Sequence, residues 1–258
     1  MQSPQRISDG SLFLPQPTRD GSILSACLDL IFPPVCVLCG YDHDGDDAQV
    51  CPACVSRLDP PERPRCRRCA HPLPTPLSPC RPCLEGSPPF QESVCLGNYS
   101  GTLRQAIHVF KYGGVKRVGE RLSLSLARRV LRRLGPVDQV VPVPSPPYRD
   151  RQRGFSQTLV IAHVLAPLLG HGEPLEAARC ISAGGPSAGK TRAERLSWFD
   201  GRFVLCSKVP LTGRTILLVD DVMTSGATLA SLARQLLDDG GAKRVVCAVL
   251  ARTVEGSG

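Results

Sequence analysis

Eight of the 13 cysteines fall into four CxxC pairs, Cys36/Cys39, Cys51/Cys54, Cys66/Cys69 and Cys80/Cys83. A CxxC turn can aim two sulfurs at one ion about 2.3 Å away, so two pairs make one tetrahedral thiolate site. The four pairs are therefore predicted to hold one or two structural zinc ions. Spacing leaves open whether they join in chain order or interleave. The competing readings are a disulfide framework, which suits an oxidising compartment, and redox CxxC motifs, which do not normally come in fours. His71, two residues after Cys69, is an alternative ligand that eight cysteines make unnecessary. The remaining Cys27, Cys95, Cys180, Cys206 and Cys247 are scattered and read as small buried apolar side chains.

A second kind of chemistry is written in "TILLVDDVMTSGATL", residues 215–229. Ile216 to Val219 make a buried strand, and Asp220 with Asp221 fall at its carboxyl end. Adjacent acids repel unless a cation or hydroxyl donors meet them, and the vicinal hydroxyls of a ribose are such donors. Thr224-Ser225-Gly226-Ala227-Thr228 then precede a helix. Small side chains there let backbone N–H groups close around a phosphate, and three hydroxyls add donors. Acids for a sugar beside a nest for its phosphate describe a sugar phosphate site. The alternative is a capped helix, with Thr224 or Ser225 as N-cap and the acids paired to arginine.

These residues need elements to position them. Residues 1–30 mix Ser, Pro, Gln, Arg and Asp without a period, and are expected to be a disordered lead-in. Residues 31–91 are dense in Pro, Cys and Arg and too poor in aliphatics to pack a core, so metal must replace hydrophobic burial there. From residue 92 to 258 strands alternate with helices. Strands are predicted in "SVCLGNY", "QVVPVP", "RTILLVDD" and "RVVCAVLA", and helices in "TLRQAIHVFKY", "VGERLSLSLARRVLRRLG", "SQTLVIAHVLAPLLG" and from about Ala227 to Asp238. Continuous apolar strands alternating with helices give an α/β fold, a mainly parallel sheet flanked by helices. Ligands of such sheets bind outside the carboxyl ends of the strands.

Charge narrows the partners. With 31 basic and 23 acidic residues the net charge is +8, which favours polyanions. After "VVPVP" a loop is expected to carry Arg149, Arg151 and Arg153, with Gly154, into the crevice, where guanidiniums suit phosphate; a solvated charged loop is the alternative. On the helix from Val118 to Leu134, Arg121, Arg128 and Arg132 form a stripe with Arg129 and Arg133 beside it. Leu122, Leu126, Ala127, Val130, Leu131 and Leu134 form the apolar side. Such a stripe could track single-stranded DNA or simply be solvated. No run reaches the roughly 18 apolar residues of a membrane span, and the first thirty residues lack a signal-peptide pattern, so a soluble cytoplasmic protein is expected.

The chain from about Phe32 onward resembles the ComF family, type I phosphoribosyltransferase-like proteins with an amino-terminal zinc module. The resemblance rests on the CxxC pairs, "IHVFKYGG", "VPVPSPPYRDRQRGFSQT" and "ILLVDDVMTSGATL", in that order. It implies that Asp220 and Asp221 are the catalytic acids and bind the ribose 2′ and 3′ hydroxyls. Thr224 to Thr228, including Gly226 and Ala227, would hold the 5′-phosphate, and Arg149, Arg151, Arg153 and Gly154 would occupy the pyrophosphate side. The implied ligand is phosphoribosyl pyrophosphate or a related ribose 5-phosphate, with Mg²⁺ bridging donor oxygens, and phosphoribosyl transfer to an acceptor as the activity. A role in handling single-stranded DNA during natural transformation is implied as well, the alternative being a module gated by ribose phosphate without turnover.

Lys111 and Tyr112 match the family without a readable role. Ser156 stands where the family has Asn, and Asp150 where it has an aliphatic residue. Ala183, Gly184, Ser187, Lys190 and Trp198 depart from the pattern of the segment that corresponds to a mobile loop, where Gly189 and Arg195 are retained. That divergence bears on turnover more than on binding. Trp198 could stack on a base or anchor the loop.

Overall fold

The computed structural model describes residues 35–43, 50–58, 63–75, 80–181 and 201–254. By its internal contacts the chain divides into Met1–Cys51 and Pro52–Gly258. In the first unit the backbone closes a knuckle around the first CxxC: Cys36 N–H donates to the Tyr41 carbonyl at 2.9 Å and Gly40 N–H to the Cys36 carbonyl at 2.8 Å. The same pattern recurs in the second unit, where Cys66 N–H donates to the His71 carbonyl and Ala70 N–H to the Cys66 carbonyl, both at 2.8 Å. The turn demands a left-handed residue, supplied by Gly40 (φ 74°) in one knuckle and by Ala70 (φ 55°) in the other.

Within the second unit, helices α1 (Pro52–Leu58) and α2 (Arg81–Glu85) accompany the second and fourth cysteine pairs. The α/β part follows as β1 (Glu92–Asn98), α3 (Gly101–Tyr112), α4 (Lys116–Arg133), β2 (Gln139–Pro142), α5 (Pro147–Arg153), α6 (Gln157–Leu168), β3 (Ala178–Cys180), β4 (Phe203–Leu205), β5 (Thr215–Met223), α7 (Ala227–Asp238) and β6 (Arg244–Arg252). The main sheet has the order β1-β6-β5-β2 and all three pairings are parallel. A separate antiparallel pair joins β3 to β4.

Strand side chains alternate between faces, so each strand feeds two core layers. Val141, Val143, Ile216, Leu218, Val245, Cys247 and Val249 pack with Leu229, Leu232, Ala233 and Leu236 of α7. The other face is covered by α4, which contacts β1, β6, α3 and α6, and by α6, which contacts β2 and β5. Helices α3 and α4 approach closely enough at Gly119 that a Cβ there would meet the buried Phe110 ring at 2.3 Å, and only glycine fits. Among the described residues no helix is long and apolar enough to cross a membrane.

Three expectations change. The arginines after β2 stand on a seven-residue helix, α5, rather than on a loop. Pro147 starts that helix, its fixed φ suiting the first turn, and Gly154 ends it at φ 78°. The apolar side of α4 holds at Leu122, Leu126, Ala127, Val130 and Leu134, all buried, but differs at two positions. Leu122, Leu126, Arg129 and Val130 follow the i, i+4, i+7, i+8 face that meets the sheet, so Arg129 is buried (3% exposed), while Leu131 is 56% exposed. Finally, β5 runs two residues beyond the acids because β6 continues to Arg252 and pairs Val222 with Ala251 and Met223 with Arg252.

The knuckle of the second cysteine pairs shields an edge of the sheet. Strand β1 is an edge strand, and Ser93 donates from its N–H to the Arg67 carbonyl (2.9 Å) and from its hydroxyl to the Arg68 carbonyl (2.8 Å). Backbone groups that would otherwise invite another chain are thereby occupied.

Candidate functional site

The cysteines assemble in chain order: Cys66, Cys69, Cys80 and Cys83 form one group within the second unit, and Cys36, Cys39 and Cys51 come together within the first, with Cys54 completing their second CxxC in sequence, the sulfurs of each set lying within 4.8 Å of one another. Tetrahedral zinc with bonds of about 2.3 Å sets its sulfurs about 3.8 Å apart. The Cys39–Cys51 separation is 3.8 Å, Cys69–Cys80 3.4 Å and Cys66–Cys83 4.0 Å, so the donor sets fit zinc. Burial opposes the Cys66 thiolate, but backbone N–H groups of Cys69, Cys80 and Arg68 outweigh it and bring that thiol down to about 6. The Cys66 thiolate is thus favoured before any metal arrives, whereas burial pushes the Cys69 thiol up to about 11 and raises the Cys83 thiol as well, so those two ligands need a metal to hold them as thiolates. His71 uses its carbonyl to close the knuckle.

The other site is a crevice of about 350 Å³ at the carboxyl ends of β2 and β5. Asp220, Asp221, Thr224, Ser225 and Thr228 line it, as do Arg149 and Arg153. The N-cap of α7 is Gly226 (φ 80°), and it makes no side-chain cap bond. The capped-helix alternative is thereby overturned: neither Thr224 nor Ser225 is the N-cap, although Ser225 Oγ accepts from Ala227 N–H at 3.3 Å. What remains at the start of this 12-residue helix is a glycine turn flanked by hydroxyls, with the positive end of the helix dipole behind it.

The acids are held differently. Asp221 Oδ2 lies 2.7 Å from Lys111 Nζ, each side chain about 15% exposed or less. Asp220 Oδ1 instead accepts from Asp221 N–H at 2.8 Å. Burial, and then the charge of Asp221, push the Asp220 carboxyl up to about 7. One acid is therefore ion-paired to a lysine, and the other, Asp220, titrates near neutrality. The expected pairing of the acids to arginine is replaced by this lysine.

Helix α5 sorts its arginines by the helical period. Arg149 and Arg153, four apart, share a face and line the crevice; Arg151, two residues from each, is exposed and does not line it, and Gly154 ends the helix. Arg153 is held by Gln157, Nη1 to Oε1 at 2.7 Å, and lies over the Tyr112 ring at 5.2 Å from its centroid. The two departures from the family pattern nearby have local jobs. Ser156 is the N-cap of α6, accepting from Leu159 N–H, and Asp150 accepts from the Ser145 hydroxyl.

Sequence reasoning missed Arg202, buried at 7% exposure, which lines the crevice with Phe203 and Cys180 at the β3–β4 pair. Three-residue strands leave no periodic signal. Lys111 and Tyr112 were visible only as motif residues, because their partners lie more than forty residues away. Ala183, Gly184, Ser187, Gly189, Lys190, Arg195 and Trp198 lie outside the described residues.

A double zinc knuckle, joined to a parallel sheet that carries an acid pair and a glycine–hydroxyl turn at its mouth, defines a zinc-ribbon protein of the phosphoribosyltransferase fold. Family models agree: a double zinc ribbon domain matches residues 27–84 and a phosphoribosyl transferase domain residues 158–257. The chain belongs to the ComF family. It is 30% identical over 221 residues to the DNA utilization protein YhgH of Escherichia coli strain K12, covering 83% of this chain and 95% of that one. Competence protein ComFC of Bacillus subtilis strain 168 is 26% identical over 241 residues, covering 85% and 95%. Among solved structures, a hypoxanthine-guanine phosphoribosyltransferase from Bacillus anthracis is similar at 16% identity and a TM-score of 0.38, covering 54% of this chain and 72% of that one.

Proposed function

We propose that the crevice binds phosphoribosyl pyrophosphate or a related ribose 5-phosphate. The observation that carries this reading is that one crevice is lined by Asp220 and Asp221, by the Thr224–Thr228 turn and by Arg149 with Arg153. Carboxylates accept from ribose hydroxyls, the turn donates to the 5′-phosphate, and the guanidiniums meet the pyrophosphate at the other end of the sugar. A crevice of about 350 Å³ is in the range of small-ligand pockets, roughly 300 to 1,000 Å³.

The reading extends to transfer. A nucleophilic acceptor would form a bond to C1′ as the C1′–oxygen bond to pyrophosphate breaks, the electron pair leaving with pyrophosphate. Mg²⁺ would neutralise phosphate oxygens of the donor, and Asp220 and Asp221 are the carboxylates that line this crevice among the described residues. The chain's own contribution is to fix the sugar from below and to hold the leaving group with Arg149 and Arg153. Calorimetric titration with phosphoribosyl pyrophosphate and Mg²⁺ tests the binding, and pyrophosphate release with a panel of bases and amines tests the transfer. Replacing Asp220 and Asp221 by Asn should weaken binding about ten- to a hundredfold while leaving the domain folded.

The names of the relatives support a second reading, a place for this domain in DNA handling. Charge favours it: Arg128 and Arg132 are exposed on α4 of a protein with a net charge of +8. Single-stranded DNA bound there should dissociate with salt, and losing both arginines should lower the slope of log affinity against log salt by roughly one unit per contact.

A further inference from the structure

The Thr224–Thr228 turn separates two cavities. Thr224, Ser225 and Thr228 line the crevice, while Ser225 with Gly226 lines a second cavity of about 370 Å³, which Met223, Phe90 and Cys69 also line. Cys69 belongs to the group of Cys66, Cys69, Cys80 and Cys83, so a cysteine fit to hold zinc and the turn border one space.

Arg252, the last residue of β6, joins the two. Its Nε donates to the Cys69 carbonyl at 3.2 Å and its Nη1 to the Met223 carbonyl at 2.9 Å. The N–H of Thr253 donates to the same Met223 carbonyl at 3.0 Å. Met223 ends β5 and is buried, so these bonds hold the backbone from which the turn departs. A second path runs beside the first. The Ser87 hydroxyl donates to the Cys83 carbonyl at 2.9 Å. Three residues further on, the buried Phe90 ring reaches the turn: a Cβ placed on Gly226 would lie 4.0 Å from it and 3.7 Å from the Met223 sulfur.

Shielding of a sheet edge accounts for the bonds from Ser93, because β1 is an edge strand. It does not account for Arg252, because β6 lies between β1 and β5 and is paired on both sides. What the guanidinium does there is span two carbonyls with one planar fork, which fixes the distance between a cysteine of the knuckle and the start of the turn. A turn that must aim several N–H groups at one phosphate binds more tightly when its entry is already held in place.

We propose that Arg252 is a positioning residue through which zinc at the Cys66, Cys69, Cys80 and Cys83 group favours the ligand-binding form of the Thr224–Thr228 turn, so that zinc and the crevice ligand raise each other's affinity. The inference rests on the reading of that turn as the cradle of a ribose 5-phosphate. Coupling between two binding sites is reciprocal: whatever factor zinc contributes to sugar phosphate affinity, the sugar phosphate contributes to zinc affinity.

The experiment is zinc competition against a chelator on the zinc-loaded full chain, with and without ribose 5-phosphate, alongside calorimetry of ribose 5-phosphate on the same samples. Wild type should bind the sugar phosphate, and the bound ligand should raise zinc affinity at one site about fivefold or more. Cys39→Ser, which disables the other cysteine group, should keep that protection. Arg252→Lys keeps the charge without the fork, and Arg252→Gln loses both. In each, ribose 5-phosphate should bind about tenfold more weakly and should no longer alter zinc affinity. Retained zinc and a cooperative melt verify the fold, and Arg252→Lys is the milder change. An arginine that only stabilised the fold would lower the melting temperature and leave the effect of one ligand on the other in place. The proposal is overturned if wild type binds ribose 5-phosphate with zinc affinity unchanged, a result that leaves the crevice reading standing. It is overturned as well if the protection is lost in Cys39→Ser or survives in the folded Arg252 variants. Failure of wild type to bind ribose 5-phosphate at millimolar concentration removes the crevice reading and this inference with it.

Discussion

Lys111 Nζ, on the last turn of α3, sits 2.7 Å from Asp221 Oδ2 on β5. That contact gives one of two adjacent acids a cationic partner, both side chains being 15% exposed or less, while Asp220 is raised by burial and then by the charge of its neighbour. Replacing Lys111 by Met should therefore destabilise the domain, and adding Asp221→Asn should recover much of the loss. A double-mutant cycle on melting free energies should give a coupling of about 0.5 to 3 kcal/mol. Strictly additive effects would contradict the pairing.

The titration of Asp220 gives stability a pH dependence of known sign. An unfolded aspartate ionises near its ordinary value of 3.8, whereas the folded carboxyl does so at about 7. The folded state binds the extra proton, so this group lowers stability as pH rises from about 4 to 7, and the penalty is complete above that. Asp220→Asn should match wild type near pH 4 and exceed it in melting temperature at pH 8. A difference that vanished at pH 8 would remove the assignment. The same variant should bind ribose phosphate less tightly, since a site residue is kept here at the expense of stability.

The second cysteine group should matter to the sheet itself. Its knuckle accepts both bonds from Ser93 on β1, and Arg252 Nε donates to the Cys69 carbonyl (3.2 Å) while its Nη1 donates to the Met223 carbonyl (2.9 Å), just before the Thr224–Thr228 turn. Structural zinc is worth about 10 to 16 kcal/mol in small zinc domains. Intact protein should contain about two zinc ions per chain by mass spectrometry of the metal. Cys83→Ser should leave about one and lower the melting temperature of the α/β domain. Cys39→Ser should also leave about one but spare that transition. Equal effects of the two changes would show that both groups serve the sheet alike.

The parallel sheet was legible because its strands are apolar runs of the right length, bounded by Gly and by amphipathic helices such as Ala227–Asp238, which matches α7 to the residue. The cysteine groups were legible from spacing, and the chain order of their pairing was not, since a spacing carries no direction. Helix α5 was read as a loop because seven residues, three of them Arg and none buried, hold no apolar stripe. Arg129 was misplaced for a related reason: a charged residue on the inward face of α4 is invisible until the carbonyls of Cys95 and Leu96 are seen to receive it. Lys111 and Tyr112 gained their roles only from the fold, which sets them against Asp221 and Arg153.

The central claim is that one crevice holds a ribose phosphate by both ends, and it is tested most directly by titrating two ligands, phosphoribosyl pyrophosphate with Mg²⁺ and ribose 5-phosphate, against two variants. Thr228→Val removes a hydroxyl from the phosphate turn and should weaken both ligands by similar factors, on the order of tenfold. Arg149→Gln with Arg153→Gln should weaken phosphoribosyl pyrophosphate by at least that much and leave ribose 5-phosphate unchanged, because only the first carries a group on the α5 side. Failure of the wild type to bind either ligand at millimolar concentration, or arginine variants that lose both ligands alike, would contradict the account.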